Sequence, residues 1–276
     1  MKTYLRYSLH VCTMEYPFKA PEAVQAASKE LQKRCKGYEI ENTGGILRIP
    51  TDAEEYSLVL EFRKKYAPYT EKFLMYEHVY TKKEMDSAEY YLLQCSAVIA
   101  NDYEPQATFT TCCEYSNFYN EQIGNYKIKT GDMKNKIIAF TYDYRFIIAN
   151  PVKAAWQEQG MTNVEYIPVY GKKNMEVAAY QITCKQQMKP LAELNGWSVY
   201  YECEHCHKTY WNPIHEVPHS FYIPLSWKEQ LADLNATYEM FTNVGSRYYV
   251  ISRRLYNELV LLGARKLKCE PVTFIE

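Results

Sequence analysis

The sequence predicts an α+β protein: mixed sheets with short helices, containing a duplicated strand–helix–strand unit. Three observations predict it. Segments that alternate apolar and polar residues with period two are interleaved with segments of helical period. Tyrosine, a residue that suits strands and half-buried surfaces, occurs 28 times in 276 residues. The third is an internal repeat. Arg145 to Tyr170 aligns without a gap on the stretch starting at Tyr248, at a constant offset of 103 residues. Ile148 meets Ile251, Val152 meets Leu255, Trp156 meets Leu259, Gly160 meets Gly263, and Pro168-Val169 meets Pro271-Val272. Phe140-Thr141 finds a further match in Phe241-Thr242 after a shift of two residues.

The elements follow in order. "YLRYSLHVC" alternates like a strand. "KAPEAVQAASKELQKRCKG" reads as a helix with Pro21 near its first turn, Val24, Ala27, Leu31 and Cys35 on one face, and Gly37 beyond its end. "ILRIP" is a short strand. "TDAEEYSLVLEFRKKYA" is a second helix, with Thr51 as its expected cap, acid in its first turn and Arg63, Lys64 and Lys65 in its last. "YTKKEMDSAEYYLLQC" opens as a helix on a Thr81/Glu84 capping box. Each repeat copy then reads as strand, short helix and strand, the helix ending where Gly160 or Gly263 supplies a left-handed residue. Between the copies, "GKKNMEVAAYQITC" is a strand, "SVYYEC" and "HKTYW" form a hairpin, and "SFYIPLSW" alternates like an edge strand. No linker of proline or serine divides the chain. The expected organisation is an N-terminal α/β portion over residues 1–79, a first repeat module over 80–170, and a second over 171–276 that carries the hairpin, within one compact unit.

Bulk composition narrows the function classes. The net charge of −1 lacks the basic excess of a nucleic-acid binder. No stretch approaches the eighteen apolar residues of a membrane span. The first residues contain no continuous apolar core of the kind a signal peptide needs, so the expected location is cytoplasmic, with the nine cysteines reduced. There is no P-loop, no dinucleotide-binding glycine motif and no nucleophile elbow.

Two motifs bear on chemistry. Cys203-Glu204-His205-Cys206 is a C-x-x-C at the tip of the expected hairpin, the setting in which two thiolates reach one zinc ion. Half a site needs completion. The candidates are His215 and His219, the adjacent His205 and His207, and Cys113 of the distant Cys112-Cys113 pair. Adjacent cysteines in a strand point to opposite faces, so one of that pair at most would comfortably ligate, with core packing as the ordinary alternative. Unligated reduced cysteines and a redox pair are the other readings of the C-x-x-C, the latter disfavoured because a redox C-x-x-C normally opens a helix. His215-Glu216-Val217-Pro218-His219 fits H-E-x-x-H in letters. A zinc protease needs that motif on a helix, and Pro218 sits inside the required turn.

The chain resembles a family of uncharacterised bacterial proteins with two C-x-x-C-G motifs, some of which are identified as immunity proteins for polymorphic or contact-dependent toxins. The carrying residues are "YTKKEMDSAEYYLL", "TTCCEY", "FTYDYRFIIANPVKAAWQEQGMTNVEYIPVY", "CEHC" and "FTNVGSRYYVISRRLYNELVLLGARKLKCEPV". Two departures stand out. His207 occupies the place of the second motif's glycine, and the first motif is reduced to Cys112-Cys113 followed by Glu114. The resemblance implies a non-enzymatic cytoplasmic binding protein with a toxin as its protein partner and zinc as a structural cofactor. The alternative is a zinc-binding protein or metal-dependent hydrolase using the C-x-x-C and H-E-x-x-H segments.

Overall fold

The structure, a computed structural model, describes residues 1–9, 11, 19–41, 45–70, 74–99, 109–111, 113, 119–129, 131–173, 176–191, 197–213, 222–241 and 246–276. They form two units: Met1–Lys82, and Lys83–Pro213 with Ser220–Glu276.

The first unit runs β1 (Lys2–Ser8), α1 (Glu22–Arg34), β2 (Glu39–Glu41), β3 (Ile46–Pro50), α2 (Glu54–Lys65) and β4 (Leu74–Val79). Its sheet has the order β2-β3-β1-β4 and is antiparallel throughout. This is the split β-α-β arrangement of ferredoxin-like motifs. Leu5, Tyr7, Leu47 and Ile49 share a core with Leu31 of α1 and with Val59 and Phe62 of α2. The expected cap Thr51 lies outside α2, which starts two residues later behind Ala53. Thr51 extends the sheet instead, donating from both its N–H and its hydroxyl to the Thr3 carbonyl. Strands β2 and β4 escape the periodicity, one being three residues long and the other carrying the adjacent polar residues Glu77 and His78.

Helix α3 (Lys82–Ser87) begins on the last residue of the first unit and leads into the second, where strand β5 (Tyr90–Leu92) follows. The helix therefore stops well before the expected "YYLLQC". Tyr91 and Leu92 are consecutive and both buried, but in two different clusters, as neighbours on opposite faces of a central strand are. Strands β6 (Phe109–Thr111), β7 (Tyr119–Gln122) and β8 (Lys127–Ile128) follow. Then come β9 (Ile138–Phe140), β10 (Phe146–Ile148), α4 (Asn150–Glu158), β11 (Val164–Gly171) and β12 (Val177–Cys184). Next are the hairpin β13 (Trp197–Glu202) and β14 (Thr209–Pro213), then β15 (Tyr222–Pro224) and a 3-10 helix (Leu225–Gln230). Of "SFYIPLSW", Tyr222–Pro224 is strand and Leu225 onward is 3-10 helix, while Ser220 and Phe221 lie outside the described residues. The chain closes with β16 (Leu234–Ala236), β17 (Met240–Phe241), β18 (Tyr249–Ser252), α5 (Arg253–Leu261), β19 (Glu270–Pro271) and β20 (Thr273–Ile275). Among the described residues, no helix is long and apolar enough to cross a membrane.

The duplication is structural. Helices α4 and α5 begin and end at the same 103-residue offset. Gly160 and Gly263 end them at φ +64° and +85°, and the next N–H reaches back to Trp156 O or Leu259 O, closing the same Schellman-type turn. In both copies the two strands flanking the helix are parallel, with a third, antiparallel strand between them. Strand β12 separates β10 from β11, and β5 separates β18 from β19. The middle strand thus follows the first copy in sequence but comes from far upstream for the second. Trp156, Val152, Leu255 and Leu259 are buried in one cluster shared by both copies.

The upstream match is different from the one the letters propose. Phe140 and Ala236 occupy equivalent sheet positions, because Phe140 pairs with Phe146 and Ala236 with Tyr249. The true partner of Thr141 is therefore Thr237, and Phe241 belongs to β17. Both threonines are fully buried. Thr141 clamps Arg145 by exchanging N–H to O and N–H to Oγ1 bonds, and Thr237 clamps Tyr248 identically. Extra residues in the second hairpin displaced the true match from the constant offset.

The copies differ at their helix caps. Ser252 Oγ accepts the Leu255 N–H and donates to Asp233 Oδ1, whereas Ala149 makes no side-chain cap. Ser252→Ala should cost about 1–2 kcal/mol and Ala149→Ser should gain up to about 1 kcal/mol, both measurable by urea denaturation.

Candidate metal centre

The site is built on the β13–β14 hairpin. Its strands pair from Trp197 opposite Pro213 to Glu202 opposite Thr209, with an irregularity between Val199 and Tyr201. Trp197 anchors it by edge contacts to Phe241 and Tyr248, at ring separations of 4.5 and 5.4 Å. Tyr210 is fully buried. At the tip, the Cys203 N–H donates to Lys208 O and the His207 N–H donates to Cys203 O.

That second bond requires a left-handed residue, and His207 adopts φ +54°. A glycine in this position of a C-x-x-C-G motif has the same physical reason, since it carries no Cβ to clash. Histidine here holds the turn against its own preference. His207→Gly is expected to raise stability by about 0.5–1 kcal/mol and His207→Val to lower it by more than about 1 kcal/mol, as read from melting curves.

The tight turn wraps backbone donors around one sulfur. The N–H groups of Cys206 and His205 point to the Cys203 thiol, outweighing its burial, and with the thiols of Cys113 and Cys206 they lower its pKa to about 5. Cys203 is a thiolate at neutral pH, the form that binds metals. Other cysteines behave oppositely. Burial pushes the thiols of Cys35, Cys95 and Cys184 up, and that of Cys269 up to about 12. These four are packing residues by environment.

Cys113 reaches this site from 90 residues away, its Sγ 3.3 Å from that of Cys203. This is well beyond the about 2.05 Å of a disulfide bond. The ligand atoms of Cys113, Cys203 and Cys206 all lie within 4.8 Å of one another, close enough to hold a metal ion. Zinc bound tetrahedrally at about 2.3 Å from each sulfur requires sulfurs about 3.8 Å apart. The observed spacing fits that geometry after small side-chain adjustments. Among the described residues, no fourth histidine, cysteine or carboxylate joins the group. His205 and His207 flank it on the exposed tip. Cys112, His215, Glu216 and His219 lie outside the described residues.

The structure therefore brings together three of the residues singled out from sequence, Cys113, Cys203 and Cys206. Cys113 carries no local signal toward this site, because its proximity to Cys203 is a product of the tertiary fold. Comparison with protein-family models and with curated proteins finds no match for the chain.

Proposed function

We propose that this chain is a zinc-stapled, non-catalytic protein-binding module of the cytoplasm, and that its partner is a bacterial toxin. The three-sulfur cluster is the observation that carries the metal. It combines three thiol ligands, a backbone-stabilised thiolate, and a hairpin tip tied to a remote segment. Zinc would act here as a cross-link, holding the Cys203–Cys206 tip to the Cys113 segment in a small unit rich in short strands.

The binding role rests on the sequence resemblance to double C-x-x-C-G proteins and on where tyrosine is displayed. Tyr142 and Tyr144 are exposed on the turn between β9 and β10, and Tyr238 is exposed on the equivalent turn after β16. Tyr200 is exposed on β13, beside the metal tip. Tyrosine offers large contact area at small entropic cost, which favours it at recognition surfaces. Blocking of a toxin would be steric, with these turns covering its working surface.

The experiment is affinity purification of the chain from its native host, with mass spectrometry of what remains bound after a stringent wash. A secreted toxin retained by the wild type and lost on Tyr142→Ala with Tyr238→Ala supports the proposal. Purification with no stoichiometric protein, from cells that express such a toxin, contradicts it.

A further inference from the structure

The three thiols of the cluster differ in their access to solvent. Cys203 is fully buried, whereas Cys113 and Cys206 are only partly so. Cys203 is also held from both sides of its backbone, its N–H donating to Lys208 O and its carbonyl accepting the His207 N–H. A fixed, enclosed sulfur therefore stands in contact with one that solvent reaches. The Sγ atoms of Cys113 and Cys203 are 3.3 Å apart, nearer than sulfurs sharing a tetrahedral zinc ion, which stand about 3.8 Å apart. A disulfide bond spans about 2.05 Å, so an approach of about 1.2 Å joins them, a distance that small rotations about the two Cα–Cβ bonds cover.

That pairing of an accessible thiol with a buried neighbour suits two-step oxidation. The accessible sulfur meets the oxidant first, and the enclosed one resolves the sulfenic acid before it is oxidised further. The core cysteines offer a contrast within the same unit. Cys95 and Cys269 are buried among the apolar side chains of the shared core, where an oxidant in solution does not meet them.

We propose that Cys113 and Cys203 are an oxidant-reactive pair that a hydroperoxide converts into a disulfide. In the first step Cys113 Sγ attacks the peroxide, an S–O bond forms, the O–O bond breaks, and the departing oxygen leaves as an alcohol or water with the thiol's proton. In the second, Cys203 Sγ attacks the sulfenic sulfur, the S–S bond forms, the S–O bond breaks, and the hydroxyl leaves as water with the Cys203 proton. Two thiols are oxidised by two electrons and one hydroperoxide is reduced. The disulfide closes the same loop of 90 residues as a shared ion would, so the hairpin tip stays tied to the Cys113 segment without a metal. Release of zinc on oxidation depends on the metal reading of the site, whereas the disulfide needs the thiols alone.

The test adds an equimolar amount of hydrogen peroxide to the chelator-treated full chain, alkylates the remaining thiols and maps unreduced peptides by mass spectrometry. The expected product links Cys113 to Cys203 and leaves Cys206 alkylated. The oxidised, metal-free chain should melt roughly 10 °C above the reduced, metal-free chain, and dithiothreitol should reverse the gain. Cys206→Ser removes a metal ligand but keeps the pair, so it should retain both the linkage and the gain, and Cys113→Ser should show neither. In the zinc-loaded chain the ion should be released in step with the linkage. A reduced chain that takes up no zinc yet forms the linkage contradicts the metal reading and supports the thiol pair. The proposal is overturned by a Cys203–Cys206 linkage in its place, by Cys113 ending as a sulfinic acid without a linkage, or by all three thiols remaining alkylatable after peroxide.

Discussion

Cys203→Ser is expected to abolish stoichiometric zinc binding and to produce the larger of two major stability losses. The cluster closes a loop of 90 residues between Cys113 and Cys203. Chain-entropy estimates put the stabilisation from closing a loop of that length at about 4–5 kcal/mol. At about 2–4 °C per kcal/mol for a unit of this size, the melting temperature should fall by roughly 10–15 °C. Chelation of the wild type should reproduce the shift, and chelation of the variant should add nothing to it. A variant that melts with the wild type, both before and after chelation, would remove the metal from the account.

Trp156→Ala should cost about 3–5 kcal/mol, the range for truncating a large aromatic in a closed core. Trp156 is the largest fully buried side chain among the described residues and belongs to the cluster that both repeat copies share. Its indole Nε1 has no hydrogen-bond partner among the described residues. An unmatched buried donor costs about 1–3 kcal/mol, so its removal offsets part of the volume lost in Trp156→Phe. That variant should stay within about 2 kcal/mol of the wild type, far from the alanine value. Equal losses for Phe and Ala, by urea denaturation, would show that the indole edge is matched after all.

What could be read from sequence was local or repeated. Helices α4 and α5 stand where Trp156, Leu259 and their glycines placed them, because apolar spacing and a left-handed stop are properties of short segments. The hairpin at Cys203 was legible for the same reason. What escaped depends on distant partners. Nothing in "YYL" tells that β5 is a middle strand between β18 and β19, whose residues lie more than 150 positions downstream. Thr141 and Thr237 are equivalent through their clamps, yet the longer second hairpin hid the match behind the more visible Phe-Thr pair. Cys113 carries no spacing signal toward Cys203.

The central claim is that Cys113, Cys203 and Cys206 hold one zinc ion. X-ray absorption at the zinc edge, on protein purified without chelator, tests it most directly. The account predicts one zinc per chain with at least three sulfur neighbours at about 2.3 Å, and a Cys113→Ser variant that loses the ion or one sulfur from its shell. A wild-type protein that neither retains nor takes up zinc, or a Cys113→Ser variant with an unchanged shell, would contradict it.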